Sequence, residues 1–220
     1  MLNLTFEQYL TKIILPAFGD TFIILFISTV IGLILGTMLA IVMAITNKNG
    51  LHPNETVYKV LDFITNTIRS FPFVILVVTV IPFTRWLVGT SIGIPGAVVP
   101  LTIGMTPFIA RLIEASLMEV DKQVIEAARS FGASDFQVIF NVMLVEAVPG
   151  ITNNITFTVI QALGATAQAG MVGAGGLGTV AIRYGFNNFN DVIMYSTVFL
   201  LLILVQAIQL GGRFIYNKVK

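Results

Sequence analysis

The stretch TFIILFISTVIGLILGTMLAIVMAITN, residues 21–47, carries no charge and exceeds the ~20 apolar residues that a membrane-crossing helix needs. Working outward from it, further apolar runs follow. Residues 70–84 are uncharged but too short alone. The second span is therefore expected to begin near Val57, with Asp62 and Arg69 on its wetter part. Residues 86–110 form a third run, broken by Gly and Pro. Residues 147–182 are uncharged for longer than one span requires. Their first part reads as a helix, and residues 164–178 are so glycine-rich that they read as a loop or re-entrant segment. Residues 192–212 give a plain fifth span. The pattern predicts an all-α membrane protein of about five transmembrane helices, over residues 19–47, 57–84, 91–117, 143–165 and 190–213. All of them belong to a single transmembrane domain over residues 1–220.

Composition agrees. The 220 residues are 56% hydrophobic and 10% charged, with a mean hydropathy of +0.92. Soluble domains average roughly 25% charged residues, so this chain cannot cover a water-facing surface but can cover a lipid-facing one. A net charge of +1 without a basic stripe disfavours nucleic acid as a partner. There is no cysteine and a single histidine, His52, so no metal site is credible. The first twenty residues hold Glu7, Lys12 and Asp20 around a short apolar patch, which is unlike a cleaved secretory signal. The first long apolar run is expected to act as an uncleaved anchor.

Lys and Arg mark cytoplasmic loops. The tail carries Arg213, Lys218 and Lys220 with no acid nearby, which places the C-terminus inside. Five spans then put the N-terminus outside. The 1–2 loop, with Lys48 and Lys59, falls inside, as does the 3–4 loop, with Arg111, Lys122 and Arg129. Within the first span, Ser28, Gly32, Gly36 and Ala40 share one helix face, and small residues let backbones approach closely in lipid. That face reads as a packing face against another helix.

The charged segment of residues 119–140, between spans three and four, is the most informative one. Asp121 suits an N-cap, and helix-forming residues follow it up to Phe131. Gly132 then stands where a left-handed C′ glycine belongs. Ser134 with Gln137 resembles a capping box that opens a second helix. Local chemistry therefore predicts helix, glycine break, helix. Val124, Ile125, Ala128 and Phe131 fall on one face of the first helix, which could meet membrane, other spans or a partner protein.

Glu126-Ala127-Ala128, then Gly132, then Val142-Met143-Leu144 resembles the EAA loop of ABC-importer permeases. Further segments are similar to the methionine-uptake branch of that superfamily: Arg69-Ser70-Phe71-Pro72-Phe73, Ile81-Pro82-Phe83-Thr84-Arg85, residues 88–93, Pro107-Phe108-Ile109-Ala110-Arg111 and residues 173–178. The likeness covers nearly the whole chain. It implies a bacterial inner-membrane, multi-pass permease subunit that works as a homodimer with two cytoplasmic ATPase subunits and an external substrate-binding (lipo)protein. The coupling helices would dock on the ATPase through Glu126, Ala127, Ala128, Gly132 and Ala133. Transport of an amino acid, methionine in this branch, would proceed by alternating access between two discrete packings, driven by differential binding of nucleotide. ATP-Mg would sit on the partner ATPase, with no cofactor in this chain. The family motif usually ends in Leu-Pro, whereas Val145 follows Leu144 here. That leaves Pro149 to supply a kink.

Other signals point away from enzymes. Gly173, Gly175 and Gly178 match a dinucleotide fingerprint literally but lack the strand and βαβ unit it needs. They read instead as an outer gate loop or a simple turn. No Walker A motif occurs, and one histidine in a loop gives no catalytic arrangement. Span four carries Asn153, Asn154, Thr156, Thr158 and Gln161. Uncharged polar groups in a span either bridge helices or line a wet path. The path reading takes Asn153, Asn154, Gln161 and Met171, with Gln161 and an adaptable Met171 as the gate. A stand-alone secondary carrier or channel is the alternative, which a docking helix pair would not serve.

Overall fold

The computed structural model describes residues 6–219, and every regular element among them is helical. Helix α1, Glu7–Thr46, is continuous over 40 residues. At ~1.5 Å per residue it is about 60 Å long, twice the ~30 Å hydrocarbon thickness. It is followed by α2 (Glu55–Ser70), α3 (Phe73–Thr79), α4 (Ile81–Val88), α5 (Gly93–Met118) and α6 (Lys122–Ser130). Next come α7, residues 135–146 with a wide π-helical middle at Val138–Met143, and α8 (Val148–Ala169), extended by a 3-10 turn at Gly170–Val172. Helix α9, residues 176–186, and α10 (Asp191–Val219) complete the chain. Four of these helices are long and apolar enough to cross a membrane, or five if α2 and α3 count together.

Residues 57–84, expected as one helix, are three. Helices α2 and α3 meet at a bend of 104°. Pro72 lacks an amide donor and pushes the preceding residue away from helical backbone, so α2 stops at Ser70. Val80 (φ −88°, ψ 3°) separates α3 from α4, and left-handed Gly89 (φ +77°) ends α4.

The second departure concerns residues 164–178. Helix α8 runs through Gly164 to Ala169, so the non-helical part shrinks to residues 173–175. At the other end, α7 stops at Ala147 and Pro149 lies in the first turn of α8. Its missing N–H costs least there.

The chain divides into two compact units. One holds residues up to 31, 71–105 and 159–209, and the other holds residues 32–70, 106–158 and from 210 on. In the first, Ile14, Ala17, Leu177, Val180 and Ile193 form a buried core. The Leu177 amide donates to Thr21 Oγ1 at 2.8 Å. A Cβ on Gly176 would lie 2.6 Å from that same oxygen. The glycine-rich stretch is therefore a close-packed segment, and glycine is required for its approach to α1.

In the second unit, a Cβ on Gly36 would come within 2.6 Å of Ile109 on α5. Ser28, Gly32, Gly36 and Ala40 are all buried. The small-residue face is thus consumed by packing within the chain. Gly150 on α8 lies against Ser116 of α5, and Gly212 of α10 against Thr156 of α8, the same close-approach device at two more crossings.

Candidate functional site

Helix α6 begins as its residues dictate: Asp121 is extended (φ −60°, ψ 124°) and its carboxylate accepts from the Gln123 amide at 2.9 Å. Gly132 adopts φ +83°, a backbone that L-residues with a Cβ rarely take. The Gly132 amide donates to Arg129 O at 2.9 Å, and that of Ala133 to Ala128 O at 3.1 Å, closing the helix end. Two residues further on, the capping box forms in full. The Ser134 amide donates to Gln137 Oε1 at 2.9 Å and the Gln137 amide to Ser134 Oγ at 3.4 Å.

This helix–glycine–helix is anchored from below and bare above. Val138, Ile139 and Met143 of α7 are buried. Phe131 is 93% exposed and Phe136 67% exposed, the latter stacked on Phe140 at 4.4 Å between ring centroids. Glu126 and Ala127 are exposed, while Ala128 and Ala133 are half-buried. The single apolar face expected of α6 therefore splits, with Ile125 and Ala128 turned inward and Phe131 outward. A cavity of about 160 Å³ lies between residues 49–51, the end of α5 and Ile125, so α6 is not packed to the limit. The docking candidates thus form one contiguous surface patch with two bare aromatic rings, an unusual expense for a water-facing segment.

An ion pair and a histidine–carboxylate hydrogen bond brace the patch from the side. His52 Nε2 lies 2.6 Å from Asp135 Oδ2, and Arg129 Nη2 donates to Asp135 Oδ1 at 3.0 Å. The hydrogen bond with His52, then that with Arg129, holds the Asp135 carboxyl below its ordinary range.

The polar residues of α8 separate by rotation around the helix. Asn153, Phe157, Gln161, Gly164, Gln168 and Met171 are all exposed, and their intervals of three and four put them on one face. Asn154 is turned away from it. Its Nδ2 donates to Leu112 O at 3.1 Å and Ser116 Oγ at 2.9 Å on α5. Thr156 and Thr158 bond carbonyls of their own helix. Of the four path candidates, the structure brings Asn153, Gln161 and Met171 to one face and assigns Asn154 to helix packing. An open face with three carboxamides suits water or a second protein surface better than lipid. The exposed face of α10, by contrast, carries Val192, Tyr195, Phe199 and Leu202.

One charged cluster escapes the sequence reading. Arg111 and Glu114, one turn apart on α5, pair with each other at 2.8 Å. Arg111 also pairs with Asp62 of α2 and donates to the Tyr58 hydroxyl at 3.2 Å. Sequence proximity suggests Arg69 as the partner of Asp62. Instead Arg69 lies over the Phe108 ring, 5.8 Å from its centroid. The available signal was two charges, Arg111 and Glu114, inside a helix otherwise apolar enough to span.

A capped helix pair with bare aromatic rings, a polar open helix face and four or five helices apolar enough to cross a membrane are together the features of a membrane transport subunit. The chain belongs to the family of binding-protein-dependent transport system inner membrane components, whose pattern matches residues 36–219. It is 44% identical over 209 residues to the probable D-methionine transport system permease protein MetI of Vibrio cholerae, covering 95% of this chain and 93% of that protein. It is 45% identical over 174 residues to the methionine import system permease protein MetP of Bacillus subtilis, covering 79% and 78%. Its fold matches a chain of the MetNI methionine ABC transporter in an inward-facing conformation, with a TM-score of 0.95 and 38% identity over 99% of this chain and all of that one.

Proposed function

We propose that this chain is the transmembrane subunit of an ATP-driven methionine importer. Two copies would pair around a central path, two ATPase subunits would bind from the cytoplasm and an external binding protein would deliver substrate. The single observation that carries the reading is the α6–Gly132–α7 element, ordered by its own caps yet baring Phe131 and Phe136. Exposed aromatic side chains at a rigid turn are what a partner groove buries as anchors. Glu126, Ala127, Ala128, Gly132 and Ala133 would form the docking patch. Positive charge in the tail and inner loops supports a C-terminus inside and an N-terminus outside.

The translocation path would run along the α8 face through Asn153, Gln161 and Met171. A neutral amino-acid side chain needs little from such a wall beyond hydrogen-bonding amides and an adaptable apolar plug. ATP-Mg would act on the partner ATPase. Its binding would pull the coupling helices and switch the permease between inward- and outward-facing packings.

Uptake of labelled methionine into liposomes tests this. The vesicles hold the permease with its ATPase, binding protein is added outside, and ATP is sealed inside or omitted. Uptake that requires internal ATP is expected. Equal uptake without ATP or ATPase would replace the reading with a stand-alone carrier or channel.

A further inference from the structure

Arg111 stands where three segments of one unit converge. Its Nη1 serves Tyr58 of α2 and Glu114 of α5, and its Nη2 serves Asp62 of α2. Just beyond the end of α1, Asn47 Nδ2 approaches Glu114 Oε1 at 3.4 Å. The guanidinium is thus shared by two carboxylates. Their surroundings are unequal: the side chain of Glu114 is 5% exposed and that of Asp62 34%. Releasing Glu114 would strand an enclosed charge, whereas Asp62 is the less enclosed of the two carboxylates. The Arg111–Asp62 bond is therefore the one that can open.

Its position gives that opening a use. Helix α5 ends at Met118, the Glu119 amide still bonds Ala115 O at 3.1 Å, and Asp121 already caps α6. A displacement of α6 reaches the end of α5 through almost no slack. The Arg111–Asp62 bond, beside the Arg111–Tyr58 hydrogen bond and Arg69 over Phe108, ties α2 to α5 while that happens.

We propose that Arg111 and Asp62 are positioning residues that form a latch between α2 and α5. The latch is closed in the present conformation and opens when nucleotide drives α6, while the Arg111–Glu114 pair persists. This inference rests on the importer reading.

The full assembly in liposomes tests it with Asp62→Asn, scored as methionine uptake per ATP hydrolysed. Loss of the latch is expected to lower that ratio about 5-fold or more, at the low end of coupling between linked sites, with the permease present in the membrane at the wild-type level. Uptake and hydrolysis falling in step would overturn the proposal. A second measurement leaves the cluster intact and uses the absence of native cysteine. Spin labels on Lys59→Cys (α2) and Ala115→Cys (α5) should change separation between nucleotide-free and ATP-bound assemblies, and an unchanged separation would equally overturn it. Absence of ATP-dependent uptake in the wild type would instead sink the importer reading, while the label distances still judge the latch.

Discussion

The two polar clusters, Asp62–Arg111–Glu114 and His52–Asp135–Arg129, each hold an arginine–carboxylate ion pair and differ in burial. In the first, Glu114 is nearly inaccessible and Arg111 mostly so; in the second, every side chain is roughly half exposed. Buried charges hold geometry because a charge released there is left without water. Exposed ones are replaced by water at little cost. The α6–Gly132–α7 element must therefore owe its shape to something else, and its local caps supply it: the Asp121 cap, left-handed Gly132 and the Ser134–Gln137 box.

That contrast can be broken most forcefully at Arg111. Arg111→Ala leaves Glu114 buried without a cation, facing the Asn47 amide alone, and should destabilise the permease by about 3–5 kcal/mol. Unfolding in detergent micelles, followed by circular dichroism, measures it. Loss below ~1 kcal/mol would mean that water reaches Glu114 after all.

Gly132→Val comes next. A β-branched residue in left-handed backbone costs about 1–2 kcal/mol, and the turn should distort rather than the membrane helices. Membrane insertion should survive while co-purification of the ATPase falls. Undiminished association would detach the glycine from docking.

Ser134→Ala removes one half of the capping box and should cost about 1 kcal/mol. Faster amide exchange at residues 135–138 reads it, with α5 unchanged as the internal reference.

Asp135→Asn should have the smallest effect, visible only as looser residues 47–54. The pH dependence sharpens the point. Because the folded carboxyl sits below its ordinary range, its contribution is present above about pH 4 and is lost as pH falls through the lowered folded value. Salt should weaken it too. Amide exchange in residues 47–54, measured across pH and ionic strength, checks both.

Local features were legible in the residues themselves. Asp121, Gly132, Ser134 and Gln137 act within one turn of where they stand, so their types announce their roles. Long apolar runs likewise revealed α1, α5 and α10. Features that depend on three dimensions were not legible. Asp62 and Arg111 are far apart in the chain, and only the approach of α2 to α5 joins them. Asn153 and Asn154 are the same residue type side by side, yet a rotation of ~100° sends one to an open face and the other into packing. The break after Ser70 was announced by Pro72, but the need for ~20 apolar residues argued for reading through it.

The open face of α8 has a genetic consequence. In an assembly of two identical chains about a two-fold axis, each position on that face occurs twice, and those nearest the axis meet their own copies. In the proposed homodimer, one codon change at Gln161 or Met171 would therefore alter both walls of the proposed path together. A path built that way could hardly be adjusted on one side alone, so substrates needing unlike walls would favour two diverged genes over one.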